Sequence, residues 1–148
     1  MPNLLLQKFP APQFTATAKL AFHAMANEDQ AGLIVMGTDY AYASVKKKAD
    51  GLYISQTVCQ SADQGKPERE IAPAAVTGDT FYLRVAVSQD AMCRFSFSTD
   101  GASFREIGEP FAARPGRWIG AKVGLFALGS APVYEYGWAD FDWFRVSN

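Results

Sequence analysis

Two aspartates, Asp140 and Asp142, stand two residues apart in the run Ala139-Asp140-Phe141-Asp142-Trp143-Phe144-Arg145-Val146. Carboxylates that face each other across a cleft can act as acid and base on a glycosidic bond. On a strand, however, residues i and i+2 sit side by side on one face, about 7 Å apart at the α-carbon. The pair therefore reads as a sheet-edge group satisfied by Arg145 or by a cross-strand donor. His23, the single histidine, has no nucleophile elbow or orienting carboxylate spaced to make a triad with it. It is expected as a surface or edge residue. Cys59, Cys93 and one histidine do not make a zinc signature. Asn27, Glu28 and Asp29 carry the oxygens that calcium takes, but without EF-hand spacing. A solvated turn is the expectation there, and no cofactor is expected beyond a structural calcium ion. Gly120, Gly124 and Gly129 lack the spacing and the following helix of a dinucleotide fingerprint. They suggest bulges or bends in a curved sheet, whose concave side could hold a ligand.

The aromatic residues are more informative. Tyr40, Tyr42, Tyr53, Tyr82, Trp118, Tyr134, Tyr136, Trp138 and Trp143 exceed what filling a core requires. Tyrosine and tryptophan offer a flat apolar face with a polar tip, suited to stacking on sugar rings or lining a protein interface. Strand parity puts Tyr40 and Tyr42 together beside Ser44 and Lys46, and Tyr82 with Arg84. A ligand groove lined by Tyr, Arg and Lys is one explanation. Packing under loops or at the ends of a sandwich is the other.

The elements that must position these groups are strands. From Phe14 to Phe22, Phe14, Ala16, Ala18, Leu20 and Phe22 take one parity while Thr15, Thr17 and Lys19 take the other. Such alternation predicts a buried face and a wet one. Phe81, Leu83, Val85 and Val87 repeat it against Tyr82 and Arg84, as do Cys93, Phe95 and Phe97 against Arg94 and Ser96. Asp50-Gly51 and Asp100-Gly101 supply the positive-φ residues of tight hairpins. A longer polar loop covers 61–67. Only Ala21–Gln30 offers a short, poorly periodic candidate helix. About ten strands at intervals of roughly 8–12 residues predict one all-β sandwich or barrel.

Composition agrees with one such domain. The 148 residues, 49% hydrophobic and 14% aromatic, exclude disorder. Size scaling has about two-thirds of the surface buried on folding. Fourteen basic against fifteen acidic residues, net −1, argue against nucleic acid and against a polybasic membrane module. No apolar run approaches the roughly 18 residues of a membrane span. Met1-Pro2-Asn3 lacks the layout of a signal peptide, and a bacterial cytoplasm or periplasm is the expected compartment. Cys59 and Cys93 are expected as two free buried thiols.

Several segments in matching order resemble one domain family. They are Phe14–Leu20, Gln30–Met36, Tyr40-Ala41-Tyr42, Phe81–Val85, Phe97–Phe104 and the terminal Ala139–Val146. Together they are similar to the C-terminal concanavalin A-like domain of glycoside hydrolase family 43 β-xylosidases and arabinofuranosidases. The resemblance implies a two-sheet antiparallel jelly-roll β-sandwich over 1–148. It also implies a piece of a larger hydrolase whose catalytic carboxylates lie on a separate five-bladed β-propeller.

In that family a loop of the sandwich places a phenylalanine at the rim of the propeller's substrate pocket. The matching position is Phe9, although Phe9-Pro10-Ala11-Pro12 replaces the usual Phe-Gly-Pro. The prolines stiffen the loop, and Phe9 either enters a partner's cleft or folds back on its own sandwich. The resemblance implies a non-catalytic accessory domain whose partners are the propeller and a xylo- or arabino-oligosaccharide. The alternative is an independent xylan- or arabinoxylan-binding module using Tyr40, Tyr42, Tyr82, Arg84, Trp118 and Trp138. A stand-alone enzyme is disfavoured by the missing acid–base constellation.

Overall fold

The computed structural model describes residues 3–24, 26–61, 64–114, 120–129 and 138–147. Their strands are β1 (Asn3–Lys8), β2 (Phe14–His23), β3 (Gln30–Met36), β4 (Tyr40–Lys48), β5 (Gly51–Cys59) and β6 (Arg69–Val76). The chain continues through β7 (Thr80–Val87), β8 (Met92–Ser98), β9 (Arg105–Ala112), β10 (Lys122–Leu128) and β11 (Trp138–Ser147). They form a six-stranded sheet, β1-β10-β3-β4-β5-β6, and a five-stranded sheet, β11-β2-β7-β8-β9. Every pairing is antiparallel. The chain passes repeatedly between the two sheets, giving the predicted jelly-roll sandwich.

The alternation read from the sequence sets the inner faces. Phe14, Ala16, Ala18, Leu20 and Phe22 are all buried, as are Phe81, Leu83, Val85, Val87, Cys93, Phe95 and Phe97. They meet Leu33, Val35, Ala41, Ala43, Val45, Ile54 and Val58 of the opposite sheet in one core. Each large aliphatic or aromatic side chain enclosed there contributes about 2 kcal/mol. The hairpins fall at Asp50-Gly51 and Asp100-Gly101, where Gly101 has φ 81°. Asp100 holds its turn by accepting the Ala102 and Ser103 N–H groups at 2.8 and 3.0 Å.

Two expectations are corrected. The described residues of Ala21–Gln30 form no helix: β2 runs to His23 and a turn follows. Glu28 adopts φ 73°, and its N–H donates to the Lys47 carbonyl at 2.7 Å, tying the turn to β4. A left-handed residue and a cross-strand bond are incompatible with a continuing helix. A strand also precedes the first one expected: β1 lies at a sheet edge, where Leu4-Leu5-Leu6 need not alternate with polar residues. Cys59 and Cys93 are both free and buried, as expected.

Candidate functional site

Alternation on β4 decides where its tyrosines go. Ala41, Ala43 and Val45 fill the core, so Tyr40, Tyr42, Ser44 and Lys46 take the outer face of the six-stranded sheet. Tyr40 and Tyr42 stack there, ring centroids 6.2 Å apart and planes 10° apart. Tyr42 meets Phe126 edge-on at 4.8 Å, and Ile34 completes a small second cluster. The Tyr42 hydroxyl donates to Glu68 at 2.6 Å. Burial, then the Glu68 carboxylate, raises the Tyr42 pKa well above the ordinary phenol value. Burial is also the main cause of the upward shift at Tyr40. Beside them Ser44 Oγ donates to Gln30 Oε1 at 3.0 Å. Further along, burial opposes the charge on Glu70, but the Lys48 hydrogen bond and the Lys46 charge outweigh it and hold its pKa down.

Tyr82 and Arg84 belong to the opposite surface. On β7 they alternate with buried Phe81, Leu83 and Val85, and so emerge on the outer face of the five-stranded sheet. The guanidinium of Arg84 lies 3.7 Å over the Phe104 ring, and its Nε donates to Thr17 Oγ1 at 3.0 Å. Tyr82 neighbours Trp143 at 6.2 Å, with planes inclined by 54°. Lys19 lies 5.8 Å over Tyr82 and pairs with Asp142 at 3.2 Å, while Arg145 lies 4.2 Å over Trp143. Such cation–ring contacts restrict the two guanidinium groups beside the aromatic surface.

The six aromatic and basic residues proposed from sequence thus do not share one groove. Tyr40 and Tyr42 form one group and Tyr82 with Arg84 another, on opposite outer faces, because β4 and β7 lie in different sheets. Trp118 and the Trp138 side chain lie outside the described residues. Trp143, one of the aromatic residues in excess of core filling, reaches the outer face through a break in register. Strict alternation sets it inward with Ala139 and Phe141, but the register shifts between Phe141 and Trp143. That bulge brings Trp143 opposite Lys19 on the outer face. Asp142 takes Lys19 as its cross-strand donor, in line with a sheet-edge role.

Phe9 follows β1. Its N–H donates to the Ala121 carbonyl at 3.2 Å. Its ring sits half-buried against the core, edge-on to Phe14 at 4.9 Å and 71°. Asp29, buried in the β2–β3 turn, accepts the Ala26 N–H at 3.1 Å, and Glu28 faces Lys46 at 3.6 Å. Among the described residues no group of three or more His, Cys, Asp or Glu is arranged to hold a metal.

Two antiparallel sheets in this order, joined by repeated crossovers, define a concanavalin A-like jelly-roll domain. The chain belongs to the family of beta-xylosidase C-terminal concanavalin A-like domains, whose profile matches residues 1–147. A bifunctional GH43-CE protein of Bacteroides eggerthii superposes with TM-score 0.87 at 21% identity, over 98% of this chain and 19% of that one. The xylan beta-1,4-xylosidase of Bacillus halodurans C-125 gives TM-score 0.83 at 18% identity, over 100% of this chain and 30% of that one. A beta-xylosidase of Formosa agariphila is 30% identical over 77 residues, 52% of this chain. The matched region spans 12% of that curated relative's length.

Proposed function

We propose that this chain is the non-catalytic accessory domain of a family 43 glycoside hydrolase of the β-xylosidase or arabinofuranosidase type. It packs against a catalytic propeller and helps shape that propeller's substrate pocket. The observation that carries this reading is the family match over residues 1–147, together with solved GH43 chains in which the same sandwich is less than a third of the polypeptide. The site chemistry supports it. Asp140 and Asp142 stand along one edge strand instead of facing each other across a cleft, and Asp142 is already engaged by Lys19. Phe9, at the turn after β1, is the residue that would reach the pocket rim, on the part of its ring not covered by Phe14. No cofactor enters this reading.

The test is the activity of the polypeptide with and without residues 1–148. Hydrolysis of an aryl xyloside or arabinofuranoside is expected to fall when the sandwich is deleted, and the sandwich alone to give no turnover. Turnover by the sandwich alone, abolished by a point substitution within it, overturns the reading.

A second reading rests on the Tyr82–Trp143–Arg84–Arg145 surface. Rings with restricted guanidiniums beside them are suited to stack on and hydrogen-bond a xylan or arabinoxylan chain. In this reading the domain retains oligosaccharides by itself.

A further inference from the structure

The sandwich is open along one edge. Leu5 stands opposite Leu125 in the β1–β10 ladder, and Leu125 belongs to the core. Its position therefore points Leu5 inward, between the sheets. Yet Leu5 is 73% exposed, and its neighbour Leu4 46%. On the other side of the gap stands β11, the edge of the second sheet, which contributes Ala139 and Phe141. With Leu125 and Ala127 these residues line an apolar groove of about 460 Å³ that opens to solvent between the two edge strands. The groove is built as core and nothing among the described residues covers it, whereas apolar surface facing water is ordinarily closed by a partner.

We propose that this groove is where the catalytic domain of the same polypeptide docks, by setting an apolar side chain between the two sheets. The inference rests on the accessory-domain reading and adds the surface through which it operates. The family description makes the sandwich a C-terminal domain, so in its longer relatives the remaining chain enters through the first strand. That strand is β1, which forms one lip of the groove. A domain that precedes the sandwich in the same polypeptide is thus held on the side of the exposed leucines, which raises its effective concentration there. The lining carries no charged side chain, so it fits an apolar insertion better than a saccharide.

The experiment uses the full-length polypeptide carrying Leu5→Cys or, as an exposed reference in the β8–β9 turn, Ser103→Cys. Alkylation of each site is followed by peptide mass spectrometry. Docking predicts that position 5 reacts at least tenfold more slowly than position 103. Equal rates overturn the proposal. Protection lost on dilution, in step with dissociation of a dimer, assigns the groove to a second copy and overturns it as well. As an independent measurement, Leu5→Asp is expected to enlarge the radius of gyration by separating the domains, and Leu5→Met to leave it unchanged. The same radius in both variants counts against docking. The accessory reading is judged separately, by hydrolysis rates with and without the sandwich.

Discussion

Gln56 reaches from β5 to the edge strand of the opposite sheet and closes both backbone hydrogen bonds of Glu109. Its Nε2 donates to the Glu109 carbonyl at 2.9 Å, and the Glu109 N–H donates to its Oε1 at 2.7 Å. The side chain is fully buried. It therefore acts as one rung of ladder between two sheets that meet mainly through apolar packing, alongside the exposed Arg69–Glu109 ion pair at 2.8 Å. Gly108 makes the approach possible: a Cβ there would collide with Gln56 Oε1, and its φ of 73° suits glycine.

Removing this rung should be costly. Gln56→Leu keeps the volume but leaves the Glu109 groups to compete for water at the sandwich rim. A loss of about 2 kcal/mol is expected, read from the urea midpoint at unchanged m-value. Gly108→Ala is expected to cost as much or more through the collision and the positive φ. Two variants as stable as the parent would show that the clamp contributes nothing.

What the sequence revealed and concealed follows from these contacts. The inner faces of β2, β7 and β8 were legible because one face is apolar and the other wet at every step. The Asp-Gly turns were legible because their backbone angles demand those residues. A bulge shifts parity without leaving a residue signature, so the outward placement of Trp143 comes from the β2–β11 register and not from alternation. Parity also says nothing about which sheet a strand joins. Tyr40 with Tyr42 and Tyr82 with Arg84 therefore looked like one set although the sandwich separates them. Gln56, a polar residue amid a strand, gave no hint that its partner was a backbone 53 residues away.

Acid should loosen the Asp100 turn. The N–H groups of Ser103 and Ala102, then the Ser98 hydroxyl, stabilise its carboxylate and bring its pKa down to about 2. An unfolded aspartate titrates near 3.9, so the folded state binds fewer protons between these values. The stabilisation is complete above the unfolded pKa and disappears as pH falls through about 2. Asp100→Ala is expected to lower Tm by about 3 °C at pH 6, with the difference vanishing toward pH 2. A difference that persists undiminished in acid would locate the effect in packing.

The two thiols should be silent in the folded protein. Burial pushes Cys93 up to about 12, against the weaker opposing pull of the Ala113 N–H. Cys59 is also buried, and its thiol donates to the Lys66 carbonyl at 3.1 Å. Since the thiolate is the reactive form, a disulfide reagent at pH 8 is expected to titrate neither residue until urea is added. Adding a reductant should leave Tm unchanged. One fast-reacting thiol in the native protein would contradict the enclosed positions of both.

Phe9 separates a packing role from a pocket role. Its edge contact with Phe14 predicts that Phe9→Ala lowers the stability of the sandwich by about 1–3 kcal/mol, short of the loss at a fully buried ring. Pocket shaping adds a second expectation in the full-length enzyme: KM for an aryl xyloside rises several-fold while kcat holds. Phe9→Leu should recover most of the stability but little of the KM. A KM that follows stability through both substitutions leaves Phe9 a packing residue alone.

The outer face of the five-stranded sheet provides the sharpest test of saccharide binding. Trp143 and Tyr82 supply ring surface, and Arg84 and Arg145 are held against Phe104 and Trp143. One ring-stacking contact is worth about 1 kcal/mol, so Trp143→Ala should weaken retention on arabinoxylan about fivefold in affinity electrophoresis. Tyr40→Ala, on the opposite face, provides the internal comparison. If binding belongs to the Trp143 surface, Tyr40→Ala leaves mobility unchanged. A reversed pattern moves binding to the six-stranded sheet. Free migration of the parent protein through arabinoxylan leaves docking to a catalytic domain as the function of the sandwich.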